Sequence, residues 1–264
     1  QHSTPIHKLG RRNDAFRAVK EAVEILNSVD APSRQELKPQ LARSLDALGS
    51  RLAELGAHSE ALEATQDGLA IRRELAVADA HVSQAELAVS LNNLGNQLSV
   101  LERPLAAIEA YEEAVAIRRE LAKSRPDGML PKLALSLNNL SLRLSELGRF
   151  EDALKRAEEG VQIRRALAEA RPMMFSRDLA TALRGLSEVL SDMGENYRAL
   201  AVSEEAVAVL RPLFLERPRD FASAMAMLYN FYLSRCKAAG IEPNEHLLQP
   251  IYLALRSIYG TPDS

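Results

Sequence analysis

Runs of similar sequence open at Leu41, Leu87, Leu133 and Leu179, each 46 residues after the last: "LARSLDALGSRLAELG", "LAVSLNNLGNQLSVLE", "LALSLNNLSLRLSELG" and "LATALRGLSEVLSDMG". One more step reaches Met225 and "MAMLYNFYLSRCKAAG". Gly56, Gly148, Gly194 and Gly240 close four of these runs in the same register, and the step back from Gly56 lands on Gly10. A fixed period constrains the fold more than any composition does. A unit of this size is one supersecondary motif that cannot bury its own apolar face, so neighbouring units must stack.

Each unit reads as two helices. In the first, Leu87, Leu91, Leu94, Leu98 and Leu101 advance by 4, 3, 4 and 3 residues, the stripe of an amphipathic helix. In the second, Ala107, Tyr111, Ala114, Val115, Ile117 and Leu121 repeat the pattern. The glycine between them suits a helix end that needs positive φ. Loops are expected at "KSRPDGMLPK", "EARPMMFSRD" and "LERPRDFASA", where Pro126, Pro172 and Pro218 stop the second helix. Ser83 with Glu86 reads as a capping box for the next helix, and Asp220 as another cap. No strand pattern competes.

The expected architecture is therefore all-α, an α-solenoid of stacked helix-turn-helix repeats without a boundary between separate globular domains. The register gives a partial repeat over 1–40 with its second helix only, repeats over 41–86, 87–132, 133–178 and 179–224, and a divergent C-terminal repeat or cap over 225–264. Because the chain starts inside a repeat, it is expected to be part of a larger protein.

These residues resemble the tetratricopeptide repeat family. Leu91, Leu94, Gly95, Leu98, Ala107, Tyr111 and Ala114 fall on its Trp-x2-Leu-Gly-x2-Tyr and Ala-x3-Phe spacing, as do Leu137, Leu140, Leu144 and Ala153, and Leu183, Leu186, Leu190 and Ala199. The unit is longer than the usual ~34 residues. It is similar to the extended "LNNL" repeats of kinesin light chains and of bacterial and fungal tetratricopeptide proteins. The last unit departs from the pattern, with Glu245 where the alanine belongs. The resemblance implies a right-handed array whose first helices line a concave groove that binds protein segments.

That placement selects the candidate groove residues. They are Arg43, Asp46 and Ser50 in the first full unit, Asn92, Asn93 and Asn96 in the second, and Asn138 and Asn139 in the third. Arg184 and Glu188 follow in the fourth, and Asn230 and Phe231 in the last. Asparagine is a poor helix-interior residue, costing up to ~0.7 kcal/mol against alanine. An amide both donates and accepts, so it can grip a peptide backbone whatever its side chains are. Helices ~8–10 Å apart and a strand rising ~3.3 Å per residue would bring one such amide to about every third peptide residue. The alternative reading is that the asparagines bond to one another and fasten the stack, or face water.

A second repeated feature is the arginine pairs Arg72/Arg73, Arg118/Arg119 and Arg164/Arg165, each placed on the outer helix. A ladder of salt bridges between units is expected there, with acidic pairs such as Glu112/Glu113 and Glu158/Glu159 supplying partners. An acidic partner docking on the outer face is the alternative.

Other classes find little support. The formal net charge of −3 gives no electrostatic case for nucleic acid or an anionic membrane. No apolar stretch is long enough to span a bilayer, and "QHSTPIHKLGRR" has no signal-peptide core. Cys236 is the only cysteine, which fits a reducing compartment, the cytoplasm, and its repeat position predicts a buried thiol. His2, His7, His58, His81 and His246 lack metal-ligand spacing, and no phosphate loop or nucleophile elbow occurs. The expectation is a protein without catalytic residues, cofactor or metal, that binds an extended peptide or protein segment. The competing reading is a self-associating scaffold, a homo-oligomer formed through the open N-terminal repeat at Phe16, Val19 and Val23. A ligand-sensing regulatory domain of a larger signalling or effector protein is the third.

Overall fold

The computed structural model describes residues 17, 20, 21, 23–25, 28 and 31–260 except 79, those at 31–35, 78 and 80–82 by their backbone. The described residues form helices and short connections, with no strand among them. The helices are α1 (Ala31–Glu54), α2 (His58–Ala78), α3 (Ala80–Val100), α4 (Pro104–Ser124) and α5 (Pro126–Glu146), then α6 (Phe150–Ala170), α7 (Pro172–Asp192), α8 (Asn196–Glu216), α9 (Pro218–Ala239) and α10 (Glu245–Tyr259). They fall into two compact units, Gln1–Met129 and Leu130–Ser264. Within each unit consecutive helices pack against one another in a repeat array.

The helices start earlier than the apolar runs suggest. Leu87, Leu133, Leu179 and Met225 each lie seven residues into their helix. The expected inter-unit loops shrink to single residues, Arg125, Arg171 and Arg217. Their φ of −138°, −144° and −131° with ψ of 63° to 75° turn the chain within one residue. The following prolines explain this. A proline at the first helical position loses no hydrogen bond and has the right φ, while it forces the residue before it out of the helical region. One proline thus ends one helix and begins the next.

The capping expectations are corrected. Ser83 lies inside α3, and Glu86 is the hydrogen-bond acceptor of Arg72. Asp220 lies in the first turn of α9 behind Arg217, where its charge complements the helix dipole without capping. Asn244 is a true N-cap, its side chain accepting from the Leu247 N–H at 3.2 Å.

The turn inside each unit is uniform. Gly56, Gly148 and Gly194 have φ of 81°, 72° and 78°. The N–H after Gly148 and that after Gly194 bond back five residues to Leu144 and Leu190, each at 2.9 Å. In the one turn without glycine, Glu102 adopts φ 55° and Arg103 makes the same bond to Leu98. A left-handed residue with a Cβ is disfavoured by about 1 kcal/mol relative to glycine. Glu102→Gly is therefore expected to raise stability by about 1 kcal/mol in urea denaturation. An unchanged or lowered midpoint would refute the strain.

Buried leucines and alanines of both helix types form the core. Leu69, Leu87, Leu91 and Ala114 cluster in the first unit, as do Val23, Leu41 and Leu45. Val23, expected on an open face, is thus covered; Phe16 and Val19 lie outside the described residues. In the second unit Leu183, Leu210, Phe214, Met225, Tyr232 and Ile251 belong to one continuous cluster that reaches α10.

Candidate functional site

The first helices α1 and α3 carry the candidates of the first unit. Arg43 is exposed, and Ser50 turns back to bond the Asp46 carbonyl at 2.9 Å. Asp46, expected on the exposed flank, points inward. It accepts from Arg72 of α2 at 3.2 Å and from the Ser90 hydroxyl of α3 at 2.8 Å. Asn92 occupies the same register position and is corrected in the same way. It is 5% exposed, and its oxygen accepts from Arg118 at 3.4 Å. Burial pushes that guanidinium down to about 10. Asn93 is half-buried, and Asn96 is exposed and accepts from the Tyr111 hydroxyl at 2.6 Å.

In the second unit Asn138 and Asn139 are half-buried on α5. Asn138 lies across α7: a Cβ added at Gly185 would stand 2.8 Å from its oxygen. Ser145 donates to Asp192 of α7 at 2.8 Å. The α5 flank is in this way fastened to α7.

Farther along, three candidates come together. Arg184 and Glu188 form an ion pair on α7. The Arg184 guanidinium lies 5.9 Å from the centre of the Phe231 ring on α9, and Arg235 lies 5.0 Å from the same ring. Both distances suit cation–π attraction. Burial raises the Glu188 carboxyl, opposed by the charges of Arg184 and Arg235. Asn230 stays exposed beside this cluster. Arg235 was not anticipated; its spacing of four from Phe231 on one helix was the available signal.

Between α7 and α9 runs a groove of about 210 Å³. Arg177, Thr181 and Arg184 form one wall, Ser223, Ala224 and Met227 the other, and Met227 is itself exposed. The exposed cation of Arg177, the half-buried one of Arg184, two exposed hydroxyls and a soft apolar thioether thus line a slot between two first helices.

The arginine pairs split between two jobs. Arg73 of α2 bonds Glu113 of α4 at 2.8 Å, and Arg165 of α6 bonds Glu205 of α8 through both oxygens at 3.0 and 2.8 Å. Second helices of successive repeats are linked in this way. The first arginine of each pair is buried instead. Arg72 meets Asp46 and Glu86, Arg118 meets Asn92, and Arg164 donates to Asp178 at 2.8 Å.

Among the described residues no group of His, Cys, Asp and Glu is arranged to hold a metal ion, and no helix is long and apolar enough to cross a membrane. Cys236 is buried and free. Burial raises its thiol despite a hydrogen bond from Tyr232, whose own hydroxyl burial pushes up to about 12. Iodoacetamide at pH 8 is expected to label the native chain at least about tenfold more slowly than the denatured chain. Equal rates would show an accessible thiolate.

Helical hairpins of constant length, joined by a glycine-type turn and a single pre-proline residue, define a helical repeat protein. The chain is a tetratricopeptide repeat protein: models of that repeat match residues 41–81 and 86–166. It is similar in structure to BtubC (BKLC) from P. vanneervenii, with a TM-score of 0.71 at 18% identity over 96% of this chain and 94% of that one. It also resembles the nearly identical TPR-like repeats of a P. anserina protein assigned to the kinesin light chains, with a TM-score of 0.60 at 21% identity over 84% and 99%. RapI in its apo form gives a TM-score of 0.52 at 14% identity over 88% and 78%. These likenesses share the fold. Curated proteins give no match.

Proposed function

We propose that the chain is a non-catalytic interaction module whose second unit holds an extended segment of a partner protein in the groove between α7 and α9. Tetratricopeptide repeats in general mediate protein–protein interaction. The observation that carries the finer reading is that groove, whose wall groups Arg177, Thr181, Ser223 and Met227 face an open slot. Other candidates, Asp46 and Asn92 among them, serve the chain's own packing. The Arg184–Phe231–Arg235 cluster at the groove's side supplies an apolar face edged by cations, suited to a segment carrying both apolar and acidic side chains. In an array of this kind affinity would come from a few such anchors.

The test is a capture from native lysate with the wild-type chain and a Met227→Asp, Phe231→Asp double variant, both first shown to be folded by circular dichroism. A partner retained by the first and lost from the second is then cross-linked through photo-methionine at position 227. The expected result is cross-links confined to one short stretch of the partner. A partner bound equally by both chains would overturn the assignment.

A further inference from the structure

The outward side of α10 is apolar and exposed among the described residues. Leu247, Leu248 and Ile251 are buried on the side facing α8 and α9. On the other side Tyr252, Leu253 and Tyr259 are 47%, 56% and 63% exposed. With Gln249 and Arg256 they fall at positions 249, 252, 253, 256 and 259, the spacing of one helical stripe. Beside the stripe, between α9 and α10, lies a cavity of about 410 Å³ lined by Tyr229, Leu233, Leu248, Gln249 and Tyr252 among others.

The charges on α10 say what fits this face. Glu245 stands in its first turn and Arg256 in its last. Neither has an ion-pair partner among the described residues. An acid at one end and a base at the other complement a second copy of the same helix laid antiparallel. A two-fold axis midway between them sets Glu245 of each copy against Arg256 of the other. The two residues are about 16 Å apart along the axis at 1.5 Å rise per residue. The same register sets Tyr252 opposite the second copy's Gln249, which lines the cavity. Each copy would therefore place an exposed tyrosine against the rim of the other's cavity, the self-complementarity that an isologous interface requires.

We infer that this face of α10 is an interface between two copies of the chain, closed by two symmetric Glu245–Arg256 pairs. The interface is separate from the groove between α7 and α9, and it stands whether or not that groove binds a peptide.

Charge exchange tests it. Sedimentation velocity on the full chain should show a dimer that dissociates on dilution. Glu245→Arg alone and Arg256→Glu alone each place like charges in contact twice, and should weaken the dimer by at least about tenfold. The Glu245→Arg, Arg256→Glu double variant should restore it. So should an equimolar mixture of the two single variants, since each cross-copy contact then pairs an arginine with a glutamate. Circular dichroism and thermal melts check that every variant is folded. The inference is overturned if the wild-type chain is monomeric at the highest attainable concentration. It is equally overturned if both single variants dimerise normally, or if the mixture and the double variant remain as weak as the single ones.

Discussion

Gly95→Ser is expected to destabilise the chain by about 2–3 kcal/mol, and most of that loss should vanish when Tyr111 is also changed to alanine. The reason lies in one column of the repeat. Positions 49, 95, 141 and 187 read Gly, Gly, Ser, Ser, and positions 65, 111, 157 and 203 on the facing helices read Thr, Tyr, Ala, Ser. Where the facing residue is small, the serine fits: Ser141 donates to the Ala153 carbonyl at 2.9 Å and Ser187 to the Ala199 carbonyl at 2.7 Å. Where it is tyrosine, no Cβ is tolerated, because one at Gly95 would stand 2.6 Å from the Tyr111 ring. Tyr111 is 2% exposed, so the ring has nowhere to move.

Tyr111→Ala alone should cost about 4 kcal/mol, since it empties a buried ring and removes the donor to Asn96. Together the two changes recreate the serine–alanine pair seen at Ser141 and Ala157. The register equivalent of Ala153 is Ala107, whose carbonyl is the expected acceptor. A double variant about 2–3 kcal/mol more stable than the sum of the single effects is the expected result. Urea denaturation of the four proteins gives the cycle. Strict additivity would show that glycine and tyrosine are not matched to one another.

The helical periodicity was legible because the apolar positions of both helices keep their spacing through every repeat. The left-handed turns were legible because only one of the five on this register lacks glycine, and Glu102 shows the backbone holding there by register alone. The helix starts were not. Pro126, Pro172 and Pro218 carry equal signals for stopping one helix and starting another, and the structure uses both. Ser83 and Glu86 match a capping box, but residues three apart also simply share a helix face.

The candidate site was legible as far as the meeting of Arg184, Glu188 and Phe231, each a single half-buried residue at the edge of the apolar stripe. It was misread where residues are doubled. Adjacent residues on a helix point about 100° apart, so a pair at the edge of the apolar stripe sends one member inward and one outward. Asn92 goes in and Asn93 stays on the flank; Arg72 goes in and Arg73 goes out. The clue lay between columns: Asp46 and Asn92 share one register position, Arg72 and Arg118 another, and each arginine reaches the oxygen of its own repeat.

That division predicts a large difference between chemically identical neighbours. The Arg72 side chain is 3% exposed and bridges Asp46 and Glu86, while that of Arg73 is 57% exposed and pairs with Glu113 at 2.8 Å. Removing one member of a buried pair strands the other, so Arg72→Met should cost about 3 kcal/mol. Asp46 would keep Ser90 as a donor but lose its cation. Arg73→Met removes a solvated contact and should cost less than about 1 kcal/mol. Raising the salt concentration should shrink the Arg73 effect and leave the Arg72 effect nearly intact, because only the exposed pair is screened. Denaturant midpoints of the two variants at low and high salt measure both. Equal losses would mean that the buried arginine contributes no more than its surface neighbour, and the columns joining Asp46, Arg72 and Glu86 would then be packing without electrostatic consequence.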